Sequence, residues 1–494
     1  MTFRTTIAVL GILAWVNSSW SQSAQEGLLF SQDDIVGTAR YNAMGGAFSA
    51  LGGDWSAVTQ NPAGMGVYRT SEFSISPALH VNMTESDYNG NSQLDGKSNF
   101  NFGNLSIVGV QPVRERGRWR STAIGAGLSR MASYHKEYSA SANDVNTSML
   151  NDFTNVLNES GFSWQELDNG EIFPFDVQLA WLNFLIDTLP GGNGFKDTLG
   201  NTSTNQTFNY EARGAKRETF FTAGANYDDK LYLGVGLDIS RIVYERETRF
   251  SEFVPTPESL FELKEYSFLS NDTYDGRGFA INAGVIYRPI DQLRISLAGR
   301  TPTWYSFDYV FTTSMNASYE IGDVFESLSP EGTFNFRLRT PWKTNLGLAY
   351  VIGKHGLISA EAEYMDHTSA RYSNAAGETA GQAFLNQLND ELSTGLRPVI
   401  NYRFGGEYRI TQFYSARVGF AHFANPYDSS IDNDGSFQVY SLGAGFRDEI
   451  YSVDVAYQLR ASTDRVYVYD PAIAEPLDVT ATDHRITLTL GLRF

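Results

Sequence analysis

The chain has 494 residues, among them 33 Phe, 27 Tyr and 45 Gly, with no Cys and a formal charge of −19. Length alone would accommodate two or three soluble domains, but large barrels of this size are single domains. The charge denies the molecule a general grip on phosphate backbones and excludes nucleic acid as a partner. The lack of cysteine excludes disulfides, a thiolate nucleophile, Cys-ligated zinc or iron–sulfur cofactors and a lipid-modified N-terminal Cys.

Residues 1–21 read as a signal peptide: Arg4, then an apolar run of ~10 residues from Ile7 to Val16, then NSSWSQ, with cleavage after Ser21 favoured by the small residues Ser19 and Ser21. The run is too short to span a bilayer as a helix, which needs roughly 20 residues, and so is the next candidate, Val177 to Ile186. The mature protein is therefore secreted, periplasmic or a β-barrel. Residues 22–69 form a separate unit. From Gly37 to Pro77 the chain is rich in Gly, Ala and Ser and does not alternate. Ala43, Ala47 and Ala50 fall at helical spacing, Asp54 can cap a short helix, and Asn61-Pro62 marks a turn. The pairs Gly45-Gly46 and Gly52-Gly53 lack the lysine and preceding strand of a phosphate loop.

From residue 70 onward the signal is a two-residue period, as expected where one face meets lipid and the other a polar lumen. In the last segment Ile486, Leu488, Leu490, Leu492 and Phe494 oppose Arg485, Thr487, Thr489, Gly491 and Arg493. Like segments fall at 70–83, 101–111, 118–139, 216–227, 230–250, 276–288, 292–306, 333–351, 356–370, 399–410, 413–424, 436–447, 449–462 and 483–494, an even count of fourteen as a closed bacterial barrel requires. Short connections (RERG, YDDK, RPIDQ, VIGKHG, RITQ, RDE) alternate with long ones, which sets the periplasmic and outer ends. Tyr227, Tyr287, Tyr350, Tyr408 and Phe446 sit at the short turns and, with Phe494, predict an aromatic girdle. Asp238, Glu361, Glu363, Arg417 and Asp454 lie on the other face, where a watered lumen would spare them the cost of burial.

The segment ARYNAMGGAFSALGGDWSAVTQNPAG, with Gly45, Gly46, Asn61, Pro62, Ala63 and Gly64, followed by fourteen strands, resembles the FadL/TodX family of outer-membrane transporters for hydrophobic compounds. The resemblance implies an all-β fold: a 14-stranded antiparallel transmembrane barrel whose N-terminal segment is a helical hatch inside the lumen. It implies a multi-pass protein of the bacterial outer membrane taking up small hydrophobic molecules such as long-chain fatty acids by passive diffusion. Phe494 at the C-terminus resembles the signal by which barrels are recognised for assembly, so partners are outer-membrane lipid and the barrel assembly machinery. Family relatives in Bacteroidetes-type bacteria include PorV-like barrels that hold secreted proteins on the type IX export route, which supplies the alternative reading.

The long loop at 140–215 contains two helical patterns: Val145, Met149, Phe153, Val156 and Leu157 share one face of the first, and FDVQLAWLNFLIDTL is apolar nearly all round. They either pack on each other as a cap or present Trp181, Phe184 and Leu185 as an apolar groove. Weaker helical patterns occur at Pro257 to Leu269 and Ala380 to Leu392. No catalytic, metal or cofactor-binding residues are assigned. Asp366-His367 and Asp483-His484 are chain neighbours, and on a strand neighbours point to opposite faces, which argues against a water-activating dyad and a surface enzyme. Glu361 and Glu363 share a face and read as pore charge, and six scattered histidines offer no haem ligand set.

Overall fold

The computed structural model describes residues 22–113, 117–169, 175–192, 194–200, 202–255, 262–375 and 381–494; the signal peptide lies outside them. Fourteen antiparallel strands form the wall. They are β1 (Glu72–Tyr88), β2 (Asn91–Pro112), β3 (Trp119–Ser133, continued by Lys136–Val145), β4 (Thr204–Tyr227), β5 (Leu231–Phe253), β6 (Leu263–Tyr287) and β7 (Leu293–Arg300, continued by Trp304–Tyr319). The second half is β8 (Gly332–Arg339, continued by Lys343–Ile352), β9 (Gly356–Asp366, continued by Arg371–Asn374), β10 (Pro398–Arg409), β11 (Tyr414–Phe423), β12 (Phe437–Arg447), β13 (Tyr451–Val466) and β14 (Leu477–Arg493). Neighbours in sequence pair in sequence, and β14 returns to β1 from Arg493 opposite Glu72 to Leu477 opposite Tyr88, which closes the sheet. In hydrocarbon an unpaired backbone N–H or C=O has no water to turn to, so closure removes an edge that would otherwise be costly.

Outward side chains are apolar from the short-turn end upward: Leu233, Val235, Leu237 and Ile239 on β5, Leu346, Leu348 and Tyr350 on β8, and Leu488, Leu490 and Leu492 on β14 are all exposed. Tyr287, Tyr350, Tyr408 and Phe494 ring the short-turn rim, and Trp119 packs edge-on against Tyr227 there at 5.1 Å. No described helix is long and apolar enough to cross a membrane, so crossing falls to the strands.

Several strands run longer than their alternation suggests. The β1–β2 hairpin turns at Asn89-Gly90, both at positive φ, where the sequence pattern suggested a loop from 84 to 100. Past the membrane the outward face meets water and the inward face packs through polar side chains, so Thr84, Glu85, Ser86 and Asp87 show no apolar period although they are paired and Thr84 and Ser86 are buried. The helical pattern at 257–269 is overturned from Leu263 onward, where β6 begins beside β5, and its first part, 257–261, lies outside the described residues. In β7 and β8 the ladder is interrupted at Pro302 and Pro341, which have no N–H to give. Hydroxyls repair it: Thr301 Oγ1 accepts from the Ile281 amide at 3.0 Å and Thr340 Oγ1 from the Thr303 amide at 2.9 Å.

Inside the barrel lie α1 (Gln22–Ser31), α2 (Ala39–Ala43) and two 3₁₀ turns, Trp55–Thr59 and Pro62–Val67. This segment touches the wall where the wall has glycine. A Cβ on Gly224 would lie 2.6 Å from the Gly66 amide nitrogen, and one on Gly405 would lie 2.6 Å from the Met44 carbonyl oxygen. The glycines of these strands thus let backbone approach backbone. Gly224→Val is expected to cost about 1–3 kcal/mol by overpacking, read as a lower midpoint of heat-modified migration in detergent, with an equivalent change at Gly299, where a Cβ would meet nothing closer than 4.0 Å, having little effect.

Candidate functional site: an interrupted wall and the segment behind it

The conspicuous break in the wall lies between β2 and β3. Their ladder runs from Pro112 opposite Ser121 to Asn104 opposite Ser129 and stops. At Met131 β3 bulges against β4, and its continuation Lys136–Val145 pairs with β4 alone. That upper piece tucks across the inner side of β1 and β2. The backbone groups it no longer offers to β2 are taken by side chains: Thr84 Oγ1 donates to the Glu137 carbonyl at 2.6 Å, Ser86 Oγ donates to the Ser139 carbonyl, and the Ser139 amide donates to Asp95 at 2.7 Å. From Asn91 to Gly103 β2 therefore keeps β1 as its only ladder partner among the described residues. Phe100 and Phe102 point outward along this stretch and are exposed, which places the lower part of the break in the apolar belt.

The N-terminal segment stops this break from inside. Its Asp34 amide donates to the Met131 carbonyl at 2.7 Å, bonding the segment to the bulge. Val36 and Gly37 lie against Gly103, where a continuing β3 would have been. Asp34 is held by Arg460 of β13 at 3.0 Å and Arg485 of β14 at 3.5 Å, while its neighbour Asp33 is held by Lys216 of β4 at 2.8 Å and by Lys343 of β8. Two adjacent carboxylates are thus tied to four strands around the bore.

Below them the expected watered lumen is overturned. Asp238, Glu361, Glu363, Arg417 and Asp454 are all buried, because the N-terminal segment fills the space and brings or frames their partners. Arg40 of α2 reaches Glu407 at 2.9 Å, Glu407 reaches Arg417 at 2.8 Å, and Arg417 reaches Asp454 at 2.6 Å. Glu361 and Glu363 share Arg403 at 2.7 and 3.1 Å, and Glu361 also accepts from the Ser49 amide at 3.0 Å. These charges are paired from strand to strand beneath the segment, Asp238 with Arg300 among them at 3.4 Å, and Glu407 and Glu361 also tie the wall to the segment, so none of them lines an open pore.

The six residues of the N-terminal motif converge. Gly45 has φ +61 and its α-carbon faces the Phe420 backbone, so both conformation and space exclude a side chain. Gly46, at φ +73, packs beside Ile35 and Tyr41. Asn61 caps the turn Pro62–Val67 by accepting from the Ala63 amide at 3.0 Å and donates to the Ser49 carbonyl at 2.8 Å, while Gly64 packs on Gly52. Ala63 is buried against Tyr232 and Ile286 of the wall.

Above the break α1 occupies a chamber of aromatic rings. Phe30 stacks on Phe307 at 4.9 Å and meets Tyr274, Tyr244 and Tyr134 edge-on at 5.5, 5.8 and 6.3 Å. Glu26 pairs with Arg246 at 3.0 Å. Tyr134 belongs to the chamber and to the break alike, since it sits in the gap between the two pieces of β3. A cavity of about 10 Å³ beside Asp33 and His367 holds a single water at most. On the lipid side, a trough of about 890 Å³ lined by Ile107, Ile124, Phe221, Val235 and Ile281 runs below the break.

The loop residues Trp181, Phe184 and Leu185 do not form one surface. Leu185 is buried in the outer cap cluster, Trp181 packs edge-on against Phe195 at 6.3 Å, and Phe184 is exposed at positive φ against Phe325 at 4.9 Å. The first helix is α3 (Met149–Ser160), a short α4 (Trp164–Asn169) follows, and the second pattern ends at Leu182 in α5 (Phe175–Leu182), before a small hairpin that pairs Ile186–Thr188 with Phe195–Asp197. The pattern at 380–392 is α6 (Gln382–Gly395), whose Leu392 packs on Gly27 of α1.

Neither Asp–His pair meets as a dyad. Asp366 accepts from the Thr368 amide at 3.1 Å, with His367 buried next to it in a 3₁₀ turn. Asp483 bonds His80 of β1 at 3.0 Å, and His484 bonds Tyr457 at 2.7 Å. The His80–Asp483 pair crosses the closing seam and was invisible in sequence, where the two residues are far apart.

No family model matches the chain and no curated protein sequence matches it. Solved structures do. A Pseudomonas aeruginosa FadL homologue superposes with a TM-score of 0.57 at 13% identity, over 94% of this chain and 99% of that one. The Pseudomonas putida toluene transporter TodX gives 0.53 at 12% identity, over 94% and 100%. The shared property is the fold.

Two outcomes follow. Glu407→Gln leaves Arg40 and Arg417 buried with one carboxylate fewer and is expected to cost about 3 kcal/mol or more, seen as a lower unfolding midpoint in detergent. In the outer cap, burial with Asp470 nearby pushes the Asp152 carboxyl of α3 up to about 6, and burial does the same to Asp176 of α5. A carboxyl raised in the folded state is penalised progressively as pH climbs from its unfolded value to about 6, and fully above that. Protection factors of the α3 and α5 amides, taken relative to the intrinsic exchange rate at each pH, should therefore be higher at pH 5 than at pH 7.5.

Proposed function

We propose that the chain is a channel of the bacterial outer membrane for uptake of small hydrophobic compounds, driven only by their concentration gradient. The observation that carries this reading is the break between β2 and β3, set in the apolar belt, stopped by Asp34–Gly37 and adjoining an aromatic chamber. An apolar molecule gains nothing from a polar lumen but gains by leaving sideways into hydrocarbon. The chamber's rings suit planar apolar ligands, and the solved neighbours include a toluene transporter and proteins described as monoaromatic hydrocarbon channels. Long-chain fatty acids belong to the same proposal as the second ligand class to test. In it the N-terminal segment acts as the plug, and displacement of α1 and the Asp34 latch opens the route.

An interrupted wall supports uptake over the alternative in which the barrel holds secreted or surface proteins. A role without enzymatic chemistry also accords with the site, whose inward charges are spent on pairs between strands and on ties to the segment. Phe494, exposed at the short-turn rim with its amide bonded to the Ser71 carbonyl at 3.1 Å, serves in this proposal as the mark read by the barrel assembly machinery.

Purified full-length protein should bind toluene-type aromatics or long-chain fatty acids, and proteoliposomes should take them up. Asp34→Asn should raise the uptake rate about 5-fold, equivalent to about 1 kcal/mol of lost latch, with little change in affinity. Flat titrations with both classes would overturn the proposal.

A further inference from the structure

The molecule is strongly acidic, yet its outer wall carries a row of arginines. In register, Arg217 of β4 stands opposite Arg241 of β5, and Arg241 opposite Arg277 of β6. Ser306 of β7 continues the row and Arg337 of β8 ends it. All four arginines are exposed. The adjacent row toward the short turns is Thr219, Ile239, Phe279 and Trp304, in the same register, with Arg339 ending it on β8. From that row down to the turn the outward residues of β5 and β6 carry no charge. The arginines therefore occupy the first step out of the apolar belt on the long-loop side, just above the Phe279–Trp304 pair, whose ring centres lie 5.2 Å apart.

Opposing carboxylates do not cancel the row. Asp275, one step further out, holds Arg241 at 2.9 Å and lies 3.9 Å from Arg277, and Asp308 stands beside Asp275. Among the described residues no carboxylate pairs with Arg217 or Arg337. Guanidinium groups bind phosphate oxygens in pairs of parallel hydrogen bonds, and several held on a stiff sheet match a fixed array of phosphates better than mobile lysines would.

We infer that this row is a binding site for the phosphate groups of an outer-leaflet glycolipid, whose acyl chains lie along the belt beneath. The inference rests on the outer-membrane placement proposed above and not on the identity of the transported compound. Arg217 lies on the strand beside the bulge of β3, so the bound lipid would border the break.

The test uses full-length protein in neutral detergent, with retained lipid measured by native mass spectrometry. The probes are bis-phosphorylated lipid A, the same lipid with both phosphates removed, phosphatidylglycerol and inorganic phosphate. The wild type should retain the phosphorylated glycolipid at least 10-fold better than the dephosphorylated form or phosphatidylglycerol, with inorganic phosphate competing only at high concentration. The combined variant Arg217→Gln, Arg241→Gln and Arg277→Gln should lose that margin while still binding the apolar ligand. Equal retention of phosphorylated and dephosphorylated lipid by the wild type would overturn the inference, whether or not the variant folds. So would equal retention of phosphatidylglycerol, or an undiminished margin in the folded variant. A wild type that shows the margin but binds no apolar ligand would overturn the uptake proposal alone.

Discussion

Backbone amides and carbonyls in hydrocarbon can bond only to one another, and this constraint orders the rest of the structure. It accounts for an even, closed set of strands and for the repair of the ladder at Pro302 and Pro341 by threonine hydroxyls. It also makes the parting of β2 and β3 informative. Among the described residues β2 and β3 give up a long stretch of ladder, and the cost is offset by Thr84, Ser86, Asp95 and the Asp34 amide rather than by a neighbouring strand. Such an arrangement needs something behind it to hold, which the N-terminal segment supplies.

That segment also explains the composition of the wall. Glycine in a strand interior normally weakens it, yet Gly224, Gly405 and Gly419 stand where Gly66, Met44 and Gly45 press against the sheet. Inward charges follow the same logic. Arg40, Glu407, Arg417 and Asp454 form a chain of pairs that is intact only with α2 in place, so removing any member leaves a buried charge exposed to the full desolvation cost.

Much of this was legible in sequence, and the failures have physical causes. The strand count, the alternation of short and long connections and the aromatic rim follow from a period of two imposed by lipid on one side. The signal fades above the membrane, where the outward face is wet and the buried inward face holds polar side chains such as Thr84, Ser86 and Gln206, and so the long outer extensions of β1, β2, β4 and β6 escape it. The watered lumen was a misreading of the same pattern: an alternating strand shows that one face is polar but not whether water or another part of the chain satisfies it. Asp33, Asp34 and His80 carry no local motif, and their roles depend on partners hundreds of positions away, such as Asp483 and Arg485. The break in β3 left only a weak trace, a strand signal too long for a membrane crossing and containing Tyr134-His135.

The amide of Ala39 and the side chain of Asn42 bond to Thr489 and Thr487, at 2.7 and 3.0 Å, on the strand that completes the cylinder. On the neighbouring β1, Ser76 bonds to that same Thr489 at 2.8 Å. The residues that zip the last strand to the first are thus the ones that grip α2. Closure of the barrel and seating of α2 therefore draw on the same hydroxyls, and a cylinder closed without its N-terminal segment would leave Glu407 without Arg40, and Lys216 and Lys343 without Asp33.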